Sequence, residues 1–251
     1  MTAGPQCTLR ASRCRSDRAR FHRWILLAGT LLLIGGAPAA GSAPGRQFPD
    51  WDRPALQQVL DYARAQRSSA LVIRQGGNTI AEGYWTPSSA PRSPYPNMVG
   101  AGRATGGGPV EDVASLQKSV VAVMVGMAQA RGTLSLADAV SVYLGAGWSK
   151  ASAEQEGAIL LRHLLSMTSG LTPALEFEAP AGTRWRYNTR AYSRLLDVLE
   201  SAAGKDIATL TRTWVTEPLG MTDTAWRGRP WVTAEMDANP LGLYASAGDL
   251  A

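Results

Sequence analysis

Apolar side chains recur along this 251-residue chain at distinct intervals, and each interval predicts a different element. Leu56, Val59, Leu60 and Ala63 follow a helical interval, with Asp52 as cap and Pro54 in the first turn, so a helix is expected over 53–66. Ala70–Gln75 and Thr79–Trp85 are short and rich in Val, Ile, Tyr and Trp. Joined by Gly76-Gly77-Asn78, they predict a β-hairpin. Residues 86–109 are dominated by Pro, Gly, Ser and Ala and read as a long loop, after which Val110–Val113 reads as a third strand. A helix over Ser115–Arg131 is closed by Gly132 and has no polar residue between Val120 and Ala128, so it is expected to be buried on every side.

Further along, Ser135 with Asp138 predicts a helix reaching Leu144, and Leu160, Leu161, Leu164 and Leu165 predict another within 159–167. Tyr192, Leu195, Leu196, Leu199 and Ala203, closed by Gly204, mark the best amphipathic helix. A helix from Asp206 through Ile207, Leu210 and Trp214 is expected to stop before Pro218. The middle of the chain is therefore helical, and no fixed-period repeat is present. Ser246-Ala247-Gly248-Asp249 is one more helix start just before Ala251. An isolated turn is unstable and a lone hairpin marginal, so the expectation is a chain cut within a domain, with further strands after 251.

Composition bears on class. Hydrophobic residues at 45% and charged residues at 18% describe a globular chain rather than a disordered one. The formal charge of +5 sits almost entirely in Arg10, Arg13, Arg15, Arg18, Arg20 and Arg23, against Asp17. Beyond residue 23 the basic and acidic residues balance, which leaves no basic stripe for nucleic acid. The basic start precedes the apolar run Trp24–Ile34 and the small residues Ala37-Pro38-Ala39, the layout of a secretory signal peptide over 1–39. Cleavage after Ala39 leaves 40–251 as one incomplete domain, secreted or periplasmic, which touches a membrane only if the leader is retained as an anchor. Cys7, Cys14 and His22 leave with that segment. His163 is then the sole histidine, so a thiol nucleophile and a histidine-rich metal site are excluded.

The remaining chemistry centres on Ser115-Leu116-Gln117-Lys118. Residues three apart share a helix face, so the Ser115 hydroxyl at the helix N-terminus and the Lys118 amine one turn on make a nucleophile and a base. An ordinary lysine, with a pKa of ~10.4, serves as a base at neutral pH only where burial disfavours its charge. The same residues also read as a helix cap and a solvent-reaching lysine. The composition hints at the chemical reading and leaves both open: 22 of the 25 basic residues are Arg, which cannot give up its proton, yet position 118 is Lys.

Seven segments in order carry a resemblance. They are Leu71–Arg74, Ser115-Leu116-Gln117-Lys118-Ser119, Leu134–Asp138, Leu161–Leu171, Ala181–Thr189, Glu217–Met221 and Gly242–Ala251. Together they resemble the serine β-lactamase and penicillin-binding superfamily, in its class C-like branch of β-lactamases, carboxylesterases, D-aminopeptidases and 6-aminohexanoate-dimer hydrolases. The resemblance implies an α+β (α/β) fold, a mainly antiparallel sheet flanked by helices plus a helical region, with C-terminal strands missing from this chain. It implies an exported serine hydrolase of small-molecule amides or esters (β-lactam, peptide or ester), with no cofactor or metal. Ser115 would be the acylated nucleophile, Lys118 its proton partner and Tyr187 the group that serves the leaving group. Thr189, at a substrate-binding position, stands where many members have Asn. The family's third element, Lys or His followed by Ser/Thr and Gly, would lie after Ala251; without it the chain would be inactive or a binding protein. His163 reads as structural, while Trp148, Trp185 and Trp231 are candidates to line a cleft.

Overall fold

The computed structural model describes residues 50–85, 100–233 and 235–251. The leader expected over 1–39 and most of the expected 86–109 loop lie outside these residues.

Helix α1 (Arg53–Ala65) starts where the sequence says it should, with the Asp52 carboxylate accepting from the Ala55 amide at 3.2 Å. Strands β1 (Ala70–Gln75) and β2 (Asn78–Tyr84) form an antiparallel hairpin in which Gln75 pairs with Asn78. Gly76 and Gly77 both have positive φ, 58° and 84°, as a two-residue hairpin turn requires. Residues 100–109 fold back on themselves, Ala101 donating to Val110 O at 2.7 Å and Ala104 to Gly108 O at 2.7 Å.

Strand β3 (Val110–Asp112) leads into a 3₁₀ turn (Ala114–Leu116) and helix α2 (Gln117–Ala130). Short helices α3 (Ser141–Leu144), α4 (Ala153–Gly157) and α5 (Leu161–Leu165) precede the long α6 (Thr189–Ala203). Then come α7 (Ile207–Thr211), a π turn (Arg212–Thr216) and α8 (Glu217–Leu219), followed by β4 (Ala225–Gly228), β5 (Leu241–Ser246) and α9 (Ala247–Leu250). Strand β5 lies between β3 and β4, antiparallel to both, with Tyr244 opposite Asp112 on one side and Ala225 on the other.

The core belongs to the helices. α6 packs against α2, α3, α5 and α7, burying Leu195, Val198 and Leu199 completely against Met124, Val125, Leu161, Leu164 and Leu210. This is the amphipathic stripe read from the sequence, and removing such side chains from water is the main force ordering the region. No helix among the described residues is long and apolar enough to cross a membrane.

Several expectations are corrected. α2 is not buried all round: Val123 is 58% exposed and Ala122 and Gly126 beside it are open, because α6 covers only the opposite face. Ser135 and Asp138 do not start a helix. Their reciprocal hydrogen bonds close a turn, Ser135 N donating to the Asp138 carboxylate at 2.8 Å, and α3 begins only at Ser141. The helix from Asp206 does not stop before Pro218, because the π turn alters the bonding just ahead of it and Pro218 then sits at the start of α8. Ser246 does cap a helix, the four-residue α9. Its Asp249 partner instead accepts from Asp223 N at 2.8 Å and the Thr224 hydroxyl at 2.7 Å.

Candidate active site

Ser115 lies in the 3₁₀ turn, one residue earlier than a helix cap; α2 itself begins at Gln117 and has no side-chain cap. Ala114 before it has φ of +48°, a conformation that costs a residue with a Cβ about 1 kcal/mol. The Asp112 carboxylate holds it there, accepting from Ala114 N at 2.8 Å. The turn leaves Ser115 exposed, and the first turn of α2 brings Lys118 beneath it, its Nζ donating to Ser115 Oγ at 3.2 Å.

Tyr187 arrives from 72 residues away, its phenolic oxygen 2.6 Å from the same Oγ. The strap before α6 sets that position. Arg186 N donates to Met167 O at 2.9 Å, and Asn188, fully buried, donates to the carbonyls of Leu171 and Thr172, each at 2.9 Å, while accepting from Ala191 N as the cap of α6. Thr189 is the first residue of α6, buried at the edge of the same cleft. Three residues expected from the sequence to act together thus meet at one oxygen atom.

Burial pushes the Tyr187 phenol up, but hydrogen bonds with Ser115 and Lys118, the charge of that amine and a smaller contribution from Thr189 outweigh it. The phenol lies below its ordinary value of 10.0. Lys118 is half-buried rather than enclosed, because α2 exposes one face. Its Nζ is 5.0 Å from the Tyr187 ring centre and 6.0 Å from that of Tyr192. Tyr192, pushed up to about 12 by burial, donates to Lys118 O at 2.8 Å and so ties α6 to this turn.

Beneath Ser115 is a buried polar clamp that the sequence did not reveal. Arg229 grips both oxygens of Asp112, with Nε to Oδ2 at 2.6 Å, and donates to Gln117 Oε1 at 3.1 Å. Gln117 Oε1 also accepts from Leu243 N at 3.1 Å, joining α2 to β5. A Cβ on Gly242 would lie 2.5 Å from Arg229 Nε, so glycine there makes room for the guanidinium. One buried ion pair therefore links the residues on both sides of Ser115.

The cleft over this cluster is about 460 Å³ and is also lined by Thr189, Trp231, Met236 and Asp237. Of the three tryptophans considered from the sequence, Trp231 lines it, Trp148 is buried elsewhere and Trp185 is 65% exposed. His163 is structural, its Nδ1 accepting from Leu160 N at 3.1 Å to start α5. A larger cleft of about 660 Å³ near Trp148 contains Ser149 and Ser193, but Ser149 is bound to Glu156 at 2.7 Å and Ser193 to Thr189 O at 2.7 Å. Both hydroxyls are taken up in these bonds.

A helical region joined to an antiparallel sheet is the fold of the β-lactamase and transpeptidase class. The chain matches the Beta-lactamase family over residues 55–251 and belongs to it. Its fold is similar to a putative β-lactamase from Bacteroides dorei at 23% identity, a match covering 80% of this chain and 61% of that one with a TM-score of 0.58. It is similar also to a D-alanine carboxypeptidase from Burkholderia cenocepacia (22% identity, 79% and 63% covered, TM-score 0.57). A D-stereospecific amidohydrolase from Streptomyces sp. is a third (18% identity, 80% and 71% covered, TM-score 0.56). The chain spans less than two thirds of the length of the first two. No curated protein matches it.

Proposed function

We propose that this chain is, or is the larger part of, an exported serine hydrolase that cleaves small-molecule amides or esters through an acyl-enzyme on Ser115. The observation that carries the reading is the double contact on Ser115 Oγ, with Tyr187 at 2.6 Å and Lys118 at 3.2 Å. In the acylation step Oγ forms a bond to the substrate carbonyl carbon while its proton passes to Tyr187 as phenolate or Lys118 as free amine. The tetrahedral intermediate then expels the leaving amine or alcohol, which takes a proton from the same pair. Water, deprotonated by that pair, attacks the acyl carbon and restores the Ser115 hydroxyl. The amide of Ser115 would face the developing oxyanion, and Thr189 would contact the substrate at the cleft edge.

Membership of the Beta-lactamase family and a fold shared with a carboxypeptidase and an amidohydrolase support hydrolysis as the reaction class. Residues 1–39 would direct export and be removed, so the exported protein would begin near Ala40 by N-terminal sequencing. The catalytic reading is tested by mixing the folded chain with excess nitrophenyl acetate. A burst of nitrophenolate matching the protein concentration is expected, with an acetyl group on the Ser115 peptide, and Ser115→Ala abolishes both. A folded chain that gives neither burst nor adduct is a non-catalytic relative.

A further inference from the structure

The cleft carries charges of both signs. Arg229 is paired with Asp112, and Lys118 donates to Ser115 Oγ. Asp237 remains, exposed at the rim, and no Lys or Arg side chain forms an ion pair with it among the described residues. The nearby Arg190 guanidinium belongs to the neighbouring cleft, where it donates to Pro173 O.

Two backbone amides fix the carboxylate's position. Thr189 N donates to Oδ2 at 3.4 Å and Arg190 N to Oδ1 at 3.1 Å, while Asn188 serves Ala191 N. Asp237 is therefore anchored on the first turn of α6, immediately after Tyr187. Each carboxylate oxygen has a further acceptor position beyond the one used by the helix. On the proposed mechanism Tyr187 serves the leaving group, so the carboxylate stands on the leaving-group side of the cleft.

We infer that Asp237 makes this cleft select esters and amides whose leaving group carries a cation, an ammonium in particular, held on the Asp237 carboxylate while the carbonyl carbon meets Ser115 Oγ. The inference rests on the hydrolase reading above. The attraction is that of a solvent-exposed ion pair, which sets its scale at about fivefold in kcat/KM and makes it sensitive to salt.

The test compares acetylthiocholine with its uncharged isostere, neohexyl thioacetate, following the released thiol. Hydrolysis consumes one water and yields acetate and thiol from either probe, so the pair isolates the charge. The full chain is expected to favour the charged probe about fivefold at low salt, a preference that shrinks as salt is added. In Asp237→Asn the ratio falls to about one, while the amide oxygen can still accept from one of the two α6 amides. A ratio near one in the unaltered chain, or an unchanged ratio in Asp237→Asn, overturns the assignment of Asp237 and leaves the hydrolase reading standing. If neither probe is turned over and Ser115 takes up no acyl group, the hydrolase reading fails and this inference fails with it.

Discussion

The helical core and the clamp beneath Ser115 solve two different problems. Around α6, Leu195, Val198 and Leu199 pack into a continuous apolar interior with no charged group among them, and stability comes from the area withdrawn from water. Beneath Ser115, Asp112 and Arg229 are just as deeply buried, yet charged, and each is kept by the other. A buried ion pair is rarely the cheapest way to stabilise a fold, since desolvating both charges offsets most of their attraction. What this one provides is direction: it holds Ala114 in its left-handed conformation and ties Gln117 to β5, so that Ser115 is presented at a fixed angle.

That difference can be broken from either side. Asp112→Ala leaves the Arg229 charge buried without its partner and should cost about 3–5 kcal/mol in denaturant unfolding. Acylation of the molecules that remain folded should slow as well, because Ala114 loses its anchor. Leu195→Ala opens a cavity in the core and should cost about 2–5 kcal/mol, with the acylation rate per folded molecule unchanged. If both variants lose stability but neither slows acylation, the clamp is structural only.

A smaller effect sharpens the contrast within the helical region, where Glu156 is a buried carboxylate. Burial pushes its pKa up, but hydrogen bonds from Gly147 N and from the amide and hydroxyl of Ser149 outweigh this and hold it below its ordinary 4.5. Its contribution to stability is therefore fully present above that ordinary value and is lost as pH falls through the lower folded-state value. The melting temperature should decline in this acid range, and Glu156→Gln should flatten the decline; an unchanged slope would show that other carboxylates set it.

What was legible in the sequence follows the same division. The stripe on α6, the glycine hairpin turn and the Ser-Leu-Gln-Lys spacing are local patterns, and each stands in the structure close to where it was read. Tyr187 came from resemblance alone, since nothing local distinguishes it from a turn tyrosine, and the structure places its oxygen on Ser115. Asp112, Gln117, Arg229 and Asp237 were not seen. Arg229 and Asp237 lie more than a hundred residues from Ser115 in sequence, and one arginine among 22 carries no local mark. The misplaced boundaries have the same origin: a Ser-x-x-Asp pair closes a turn as readily as it starts a helix, and a π turn has no spacing signature.

The central claim is that Lys118 and Tyr187 activate the Ser115 hydroxyl. It is tested most directly by the rate at which a fluorophosphonate labels the folded chain across pH, with the adduct located by mass spectrometry. The account predicts a single adduct on Ser115, forming faster as pH rises with a midpoint below the ordinary phenol value of 10.0. Labelling should slow by about 10²–10⁴-fold in Lys118→Ala, and the midpoint should move in Tyr187→Phe. An adduct on another residue, or labelling of Ser115 at the same rate in both variants, would contradict it.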